Sequence, residues 1–201
     1  MSHEIVNHEI RIRPVADRDW DGIVALESHA YGRLGLSEGR AALKSKAHAS
    51  PATCFALDLG GRRLAGYLLA LPYPESAYPD LRGATEEKPA LPSRNLHLHD
   101  IVIAEDLRHR GLARHLLNRL WAAARSYGYE QISLVAVGGS ETFWAARGFT
   151  AGHVSPTGYG PTAMYMSKPV PAGPAPRTET ENTETENTET EKWADAGAAR
   201  A

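Results

Sequence analysis

The stretch from Leu96 to Phe149, LHLHDIVIAEDLRHRGLARHLLNRLWAAARSYGYEQISLVAVGGSETFWAARGF, decides how this chain is read. Leu98 to Ile103 is a β-branched apolar run that predicts a strand. Downstream, Leu112, Ala113, Leu116, Leu117, Leu120, Trp121 and Ala124 recur at the three-and-four spacing of a buried helix face. Gly128 stands where a helix C-cap is expected, Ile132 to Val137 reads as the next strand, and Gly138-Gly139 break it. Ser140 is placed to cap a short helix that carries Phe143 and Trp144 into Gly148-Phe149.

Between the first strand and the long helix, Arg108 to Ala113 read R-x-x-G-x-A. A helix start leaves several backbone N–H groups unpaired and carries partial positive charge. Gly111 and Ala113 keep the approach open to an anion, and Arg108, Arg110 and Arg114 surround it with full charges. The turn therefore reads as a pyrophosphate cradle. It is not a P-loop, which needs Lys then Ser or Thr after its last Gly. Nor is it the three-glycine dinucleotide fingerprint.

Strand, R-x-x-G-x-A, helix, strand and F-W-x-x-x-G-F together resemble the acetyl-CoA-binding core of the GNAT N-acetyltransferases. The resemblance implies a single α/β domain with a mixed central sheet of about seven strands flanked by about four helices. It also implies acetyl-CoA as acetyl donor, held by Ile101, Val102, Ile103, Arg108, His109, Arg110, Gly111, Leu112, Ala113 and Arg114, with Phe143 and Trp144 beside it. Within that superfamily, His97-Leu98-His99 is most similar to the arylalkylamine (serotonin) N-acetyltransferases, and the likeness covers most of residues 10–168. It implies direct transfer to the primary amine of a small substrate, with Tyr31 and Leu34 and the loop tyrosines Tyr73 and Tyr78 lining the acceptor site. Two alternatives stay open: a protein N-terminal or lysine acetyltransferase, and a catalytically silent acyl-CoA-binding module.

The rest of the chain fits that frame. With 201 residues, 42% of them hydrophobic, and a net charge of −2, the chain can bury a core and has no excess of positive charge for nucleic acid. One cysteine, Cys54, excludes an internal disulfide, no apolar run is long enough to span a membrane, and the first residues lack a signal peptide's apolar centre. A cytoplasmic protein, monomer or homodimer, is expected. Residues 1–8 read as loose and residues 9–168 as the domain. Glu9 to Val15 reads as a strand, and Asp17 as the cap of a helix burying Trp20, Ile23, Val24 and Leu26. Tyr31 to Gly39 reads as a mobile connection to a helix from about Arg40 to Ala47. Thr53 to Leu59 and Arg62 to Leu71 form a hairpin at Gly60-Gly61. The proline-rich stretch from Pro72 to Arg94 is a surface loop or a substrate lid, whose acidic Glu75, Asp80, Glu86 and Glu87 would attract a cationic amine. Thr150 to Val154 and Thr162 to Lys168 close the sheet.

From Pro169 the composition turns to PVPAGPAPR and a TETEN repeat, which predicts a disordered tail over 169–201. Six glutamates and Asp195 against Arg177, Lys192 and Arg200 give that tail −4, leaving +2 for the rest.

For the chemistry, His97 and His99 lie two apart on a strand and so face one side, each imidazole titrating near neutral pH. They read as a proton relay for the amine, or as two structural strand histidines. A metal site would need a third ligand the sequence does not place. Alternation sends Asp100 to the opposite face unless a bulge intervenes. It is either an auxiliary base or a partner for a neighbouring backbone group or Arg. The resemblance implies a general-acid Tyr where Trp144 stands, and indole cannot give up a proton. Tyr159 or Tyr165 would protonate the leaving thiolate, or it departs unassisted. A covalent route through Cys54 is a minor option.

Overall fold

The computed structural model of the chain describes residues 9–60, 63–81 and 93–171. The expected loose N-terminus (1–8), Gly61 and Arg62, the loop segment 82–92 with Glu86 and Glu87, and tail residues 172–201 lie outside them.

Seven strands form one sheet: β1 (Ile10–Pro14), β2 (Phe55–Leu59), β3 (Arg63–Pro72), β4 (Asn95–Ile103), β5 (Gln131–Ala136), β6 (Thr150–Ala151) and β7 (Met164–Pro169). Their order is β1-β2-β3-β4-β5-β7-β6, and β4–β5 is the parallel pair among antiparallel neighbours. The parallel pair requires a crossover, which α3 (Leu112–Ser126) supplies. Its stripe of Leu112, Leu116, Leu117, Leu120, Ala123 and Ala124 packs on Leu96, Leu98, Ile132 and Leu134, together with Trp144 from α4 (Glu141–Ala145). Each fully buried leucine contributes about 1.5–3 kcal/mol, so this stripe anchors the crossover. The other face is covered by α1 (Trp20–Tyr31) and α2 (Arg40–Ala49), with Trp20, Ile23 and Leu43 against Tyr67, Leu69 and Val102.

Local chemistry sets several boundaries away from expectation. Asp17 does not cap α1; residues 17–19 form a 3-10 turn, and Asp19 receives two hydrogen bonds from Arg13 and one from the Ala16 N–H. Ser140 does not cap α4 through its side chain, because its Oγ accepts from the Val137 N–H at 3.2 Å. The closing strands are shorter than the apolar pattern suggested. β7 ends at Pro169, and Val170 donates its N–H to the Glu130 carbonyl while packing on the core. Gly66 is required where β3 crosses closest to β4, since a Cβ there would lie 2.6 Å from the Val102 carbonyl oxygen. Among the described residues no helix is long and apolar enough to cross a membrane.

Candidate active site

β4 and β5 are paired only from Asn95–Leu98 against Gln131–Leu134, yet β4 runs on to Ile103 and β5 to Ala136. The strands splay after Leu98, and the β5-facing edge of Ile101, Val102 and Ile103 has no ladder partner. That edge offers main-chain donors and acceptors to an extended ligand, as an exposed strand does to a peptide. At the end of β4 the chain turns into the cradle. Gly111 is the N-cap of α3 with φ +78°, a left-handed conformation that favours glycine, and among the described residues none beyond its chain neighbours comes within 4 Å of where its Cβ would project. His109 is also left-handed, at φ 62°. Arg108, His109, Arg110 and Arg114 are exposed, and Arg108 Nε donates to the Ile103 carbonyl at 3.3 Å, tying the cradle to the splayed strand. Leu112 is buried and Ala113 packs on the core, so within this turn they anchor the helix. Open space, helix-start N–H groups and three guanidinium groups suit a diphosphate. The free edge suits the amide-bearing arm of acetyl-CoA.

The splay begins at a bulge. Leu98 pairs with Ala70 and Asp100 with Leu69, so His99 is the extra residue in β4. One additional residue reverses the alternation beyond it. Leu96 and Leu98, then Ile101 and Ile103, face α3, whereas His97, His99, Asp100 and Val102 face α1 and α2. A bulge thus intervenes, and Asp100 lies on the face of the histidines. It partners neither an Arg nor a backbone group: Oδ1 accepts from Tyr31 at 2.7 Å, and Oδ2 accepts from Tyr67. Burial pushes the Asp100 carboxyl up to about 6 against the hydrogen bond from Tyr67, the neighbouring His99 and the Tyr31 bond. Burial and the Asp100 charge hold both tyrosines far above the usual phenol range, so they stay donors.

His97 is 1% exposed, with its Nδ1 3.0 Å from Ser133 Oγ, and its ring lies 6.1 Å from Tyr73 and 6.3 Å from His99. Burial, then the adjacent His99, lowers its basicity well below the ordinary histidine value. His99 Nε2 lies 2.5 Å from Glu38 Oε1, and Glu38 is also paired with the wholly buried Lys46. Burial alone would raise the Glu38 carboxyl, but the His99 hydrogen bond and charge, with those of Lys46, hold it below the usual range.

Three loops converge on this face. Leu34, in the α1–α2 connection, reaches Gly138 at the end of β5, where a Cβ would lie 3.2 Å from its Cδ1. The β3–β4 loop is stitched to the β6–β7 loop: Tyr159 donates to the Pro79 carbonyl at 2.6 Å, the Thr157 N–H donates to Tyr78 Oη at 2.8 Å, and the Ser76 N–H donates to Tyr165 Oη at 3.1 Å. Tyr78 also stacks edge-on against Tyr159 with centroids 5.5 Å apart. Tyr159's proton is committed to Pro79, and burial raises its pKa, both opposing acid catalysis. Tyr165 accepts from Ser76 and does not spend its own proton there. Trp144 is buried against Phe149 and half-exposed Phe143, within the core beneath α3. Cys54 lies in the α1–α2 core with its thiol pushed up to about 12 by burial, which disfavours the covalent route. Among the described residues no cluster of three His, Cys, Asp or Glu has metal-ligating geometry.

The residues sequence reasoning missed are Glu38, Lys46, Tyr67, Asn95 and Ser133. Only Ser133 had a sequence signal, as the polar residue inside the apolar run from Ile132 to Val137.

The fold can be compared with solved structures. The chain superposes on Ard1 from Thermoplasma volcanium with a TM-score of 0.63 at 16% identity, covering 80% of this chain and 97% of that one. The ribosomal-protein-S18-alanine N-acetyltransferase from Escherichia coli gives 0.55 at 16% identity, with 83% and 97% covered. N-acetylglutamate synthase from Neisseria gonorrhoeae, complexed with coenzyme A and N-acetyl-glutamate, gives 0.60 at 15%, with 81% of this chain matching 35% of that larger one. No curated protein matches the sequence. At these identities the structures speak for the fold alone, but the sequence model of the Acetyltransferase (GNAT) family matches residues 20–149, from the start of α1 through the G-F that ends the founding motif. The chain belongs to the GNAT acetyltransferase family, acyltransferases that draw on acetyl-CoA.

Proposed function

We propose that this chain moves acetyl from acetyl-CoA directly to the primary amine of a small substrate, which enters over the β4 face carrying His97 and His99. The observation that carries this reading is the pair of imidazoles on one face of β4, ring centroids 6.3 Å apart, beside the point where β4 parts from β5. The cradle residues Arg108, Arg110 and Arg114 would hold the diphosphate, and Ile101 to Ile103 the arm. Acetyl-CoA supplies a thioester ready for acyl transfer. An alkylamine arrives protonated, so the site must first take a proton from it. Overall an N–C bond forms and the C–S bond breaks. The ammonium gives up two protons, one ending on the coenzyme A thiol and one in solvent. Of the two tyrosines, Tyr165 is the candidate donor to the departing thiolate, because Tyr159 spends its proton on Pro79 and Tyr165 accepts from Ser76; the thiolate also leaves readily unaided.

A protein N-terminus or lysine would need an open groove. The stitched β3–β4 and β6–β7 loops support an enclosed pocket and a small acceptor instead. Arylalkylamines come first because of the His97-Leu98-His99 resemblance. The test is thiol release from acetyl-CoA against a panel of arylalkyl, alkyl and peptide amines. Amine-stimulated release is expected with small primary amines, and replacing both histidines with Gln should lower it by about 10²- to 10⁴-fold while acetyl-CoA still binds. Raising the pH should partly restore the rate. Acetyl-CoA binding without release by any amine would instead support the silent module.

A further inference from the structure

We propose that Glu38 is the positioning residue of this site: its carboxylate holds the His99 ring with Nε2–H toward it, leaving Nδ1 as the lone pair that receives the proton of the amine. The kinetic part rests on the acetyl-transfer reading; the ring orientation does not.

The geometry distinguishes the two histidines. Glu38 is ionised and therefore accepts only, so His99 Nε2 must carry a hydrogen. In a neutral imidazole the other nitrogen is then an acceptor. His99 Nδ1 is the one buried side-chain polar atom among the described residues that has no hydrogen-bond partner. Such atoms are rare in folded proteins, and this one belongs to a side chain 1% exposed, at the bulge where the strands part. His97 is wired the other way. Asn95 Nδ2 donates to Ser133 Oγ at 2.9 Å, so the Ser133 hydroxyl is free to donate to His97 Nδ1. With the ring in that tautomer its Nδ1 lone pair is occupied, and among the described residues no carboxylate is hydrogen-bonded to the ring. Asp100 is occupied as well, with one tyrosine hydroxyl on each oxygen.

Glu38 is itself held in place. Its other oxygen pairs with Lys46, and its backbone N–H donates to Glu27 Oε1 at 2.7 Å, while Ser37 Oγ donates to Glu27 Oε2 at 2.7 Å. The α1–α2 connection, expected to be mobile, is thus anchored where it meets the site. The titratable groups facing the Glu38–His99 pair are Glu27 and Tyr31 from α1, Lys46 from α2, Tyr67 from β3, His97 and Asp100 from β4, and Tyr159 from the β6–β7 loop. Lys46 balances the Glu38 charge, and the tyrosines stay neutral. Against this background Glu38 is the carboxylate in hydrogen-bond contact with the imidazole.

The experiment uses the full chain labelled with 15N-histidine, and the best amine of the panel. His99 is expected as the Nε2–H tautomer with an acceptor-type Nδ1. In Glu38→Gln, kcat at neutral pH should fall by about 10- to 100-fold with KM for acetyl-CoA unchanged. The acid limb of its pH profile should move to lower pH, because the cationic ring has lost its counter-charge. Glu38→Asp should recover part of both. Because Glu38→Gln leaves Lys46 buried and unpaired, Glu38→Gln with Lys46→Met keeps the measurement available if the single variant unfolds, and a smaller displacement of the limb in the same direction is expected, because the repulsion of the ring by Lys46 goes with it. An Nδ1–H tautomer in the parent, or an acid limb unmoved by loss of Glu38, overturns the proposal. If no amine releases thiol, the acetyl-transfer reading falls, and the Glu38-dependence of the tautomer decides the ring orientation by itself.

Discussion

Asp100 binds its proton more tightly in the folded chain than in the unfolded one, because desolvation at the bulge outweighs its two tyrosine donors and lifts its pKa to about 6 from 3.8. For an acid shifted upward, the stabilisation is complete below about pH 4 and is lost as pH rises through 6. Roughly two units of pKa correspond to about 3 kcal/mol. Asp100→Asn should therefore flatten the decline in stability between pH 4 and 7, read from urea midpoints at fixed m. A variant with the parent's slope would assign that decline to other groups. Glu38 has the opposite sign, stabilising above the unfolded carboxylate pKa and losing that contribution as pH falls. Neither residue's role was legible in the sequence. Asp100 has two partners 69 and 33 positions away, and Glu38 reaches His99 across 61, whereas local pattern reports only neighbours along an element.

At the scale of elements, the β4–α3 unit was legible almost throughout, since a β-branched run, a glycine that needs positive φ and a three-and-four leucine stripe each follow from local physics. The same unit yields a direct test of the cradle. Gly111→Trp would fill the open approach and strain the left-handed N-cap, and Arg108→Glu with Arg110→Glu would reverse its charge. Either variant should bring acetyl-CoA affinity below calorimetric detection while the far-ultraviolet spectrum stays native. Unchanged affinity in a folded variant would remove these residues from the binding site. The splay itself was legible only in part. Nothing in Ile132 to Val137 signals that β5 loses β4 as a partner after Leu134, because β5 stays apolar beyond that point and keeps β7 on its other edge; in β4 the polar pair His99-Asp100 marks the place.

For the molecule as a whole, the packed chain extends to Val170, whose N–H is held by Glu130. A chain ending at Pro171 should keep the parent's melting temperature within a few degrees, together with its thiol-release rate, since the following segment is too polar and repetitive to bury much area. A large loss of either would show that residues beyond 171 engage the domain. The bulge has a reach of its own at this scale. A single surplus residue at His99 acts as a parity bit for the strand: were β4 to run straight through it, Asp100 and Val102 would exchange faces with Ile101 and Ile103 without any substitution. In a lineage of such chains, deleting the surplus residue would straighten the strand and leave Asp100 and Val102 on their present face. An alignment that runs ungapped through His99 against a relative with a regular strand would assign every downstream position to the wrong side of the sheet.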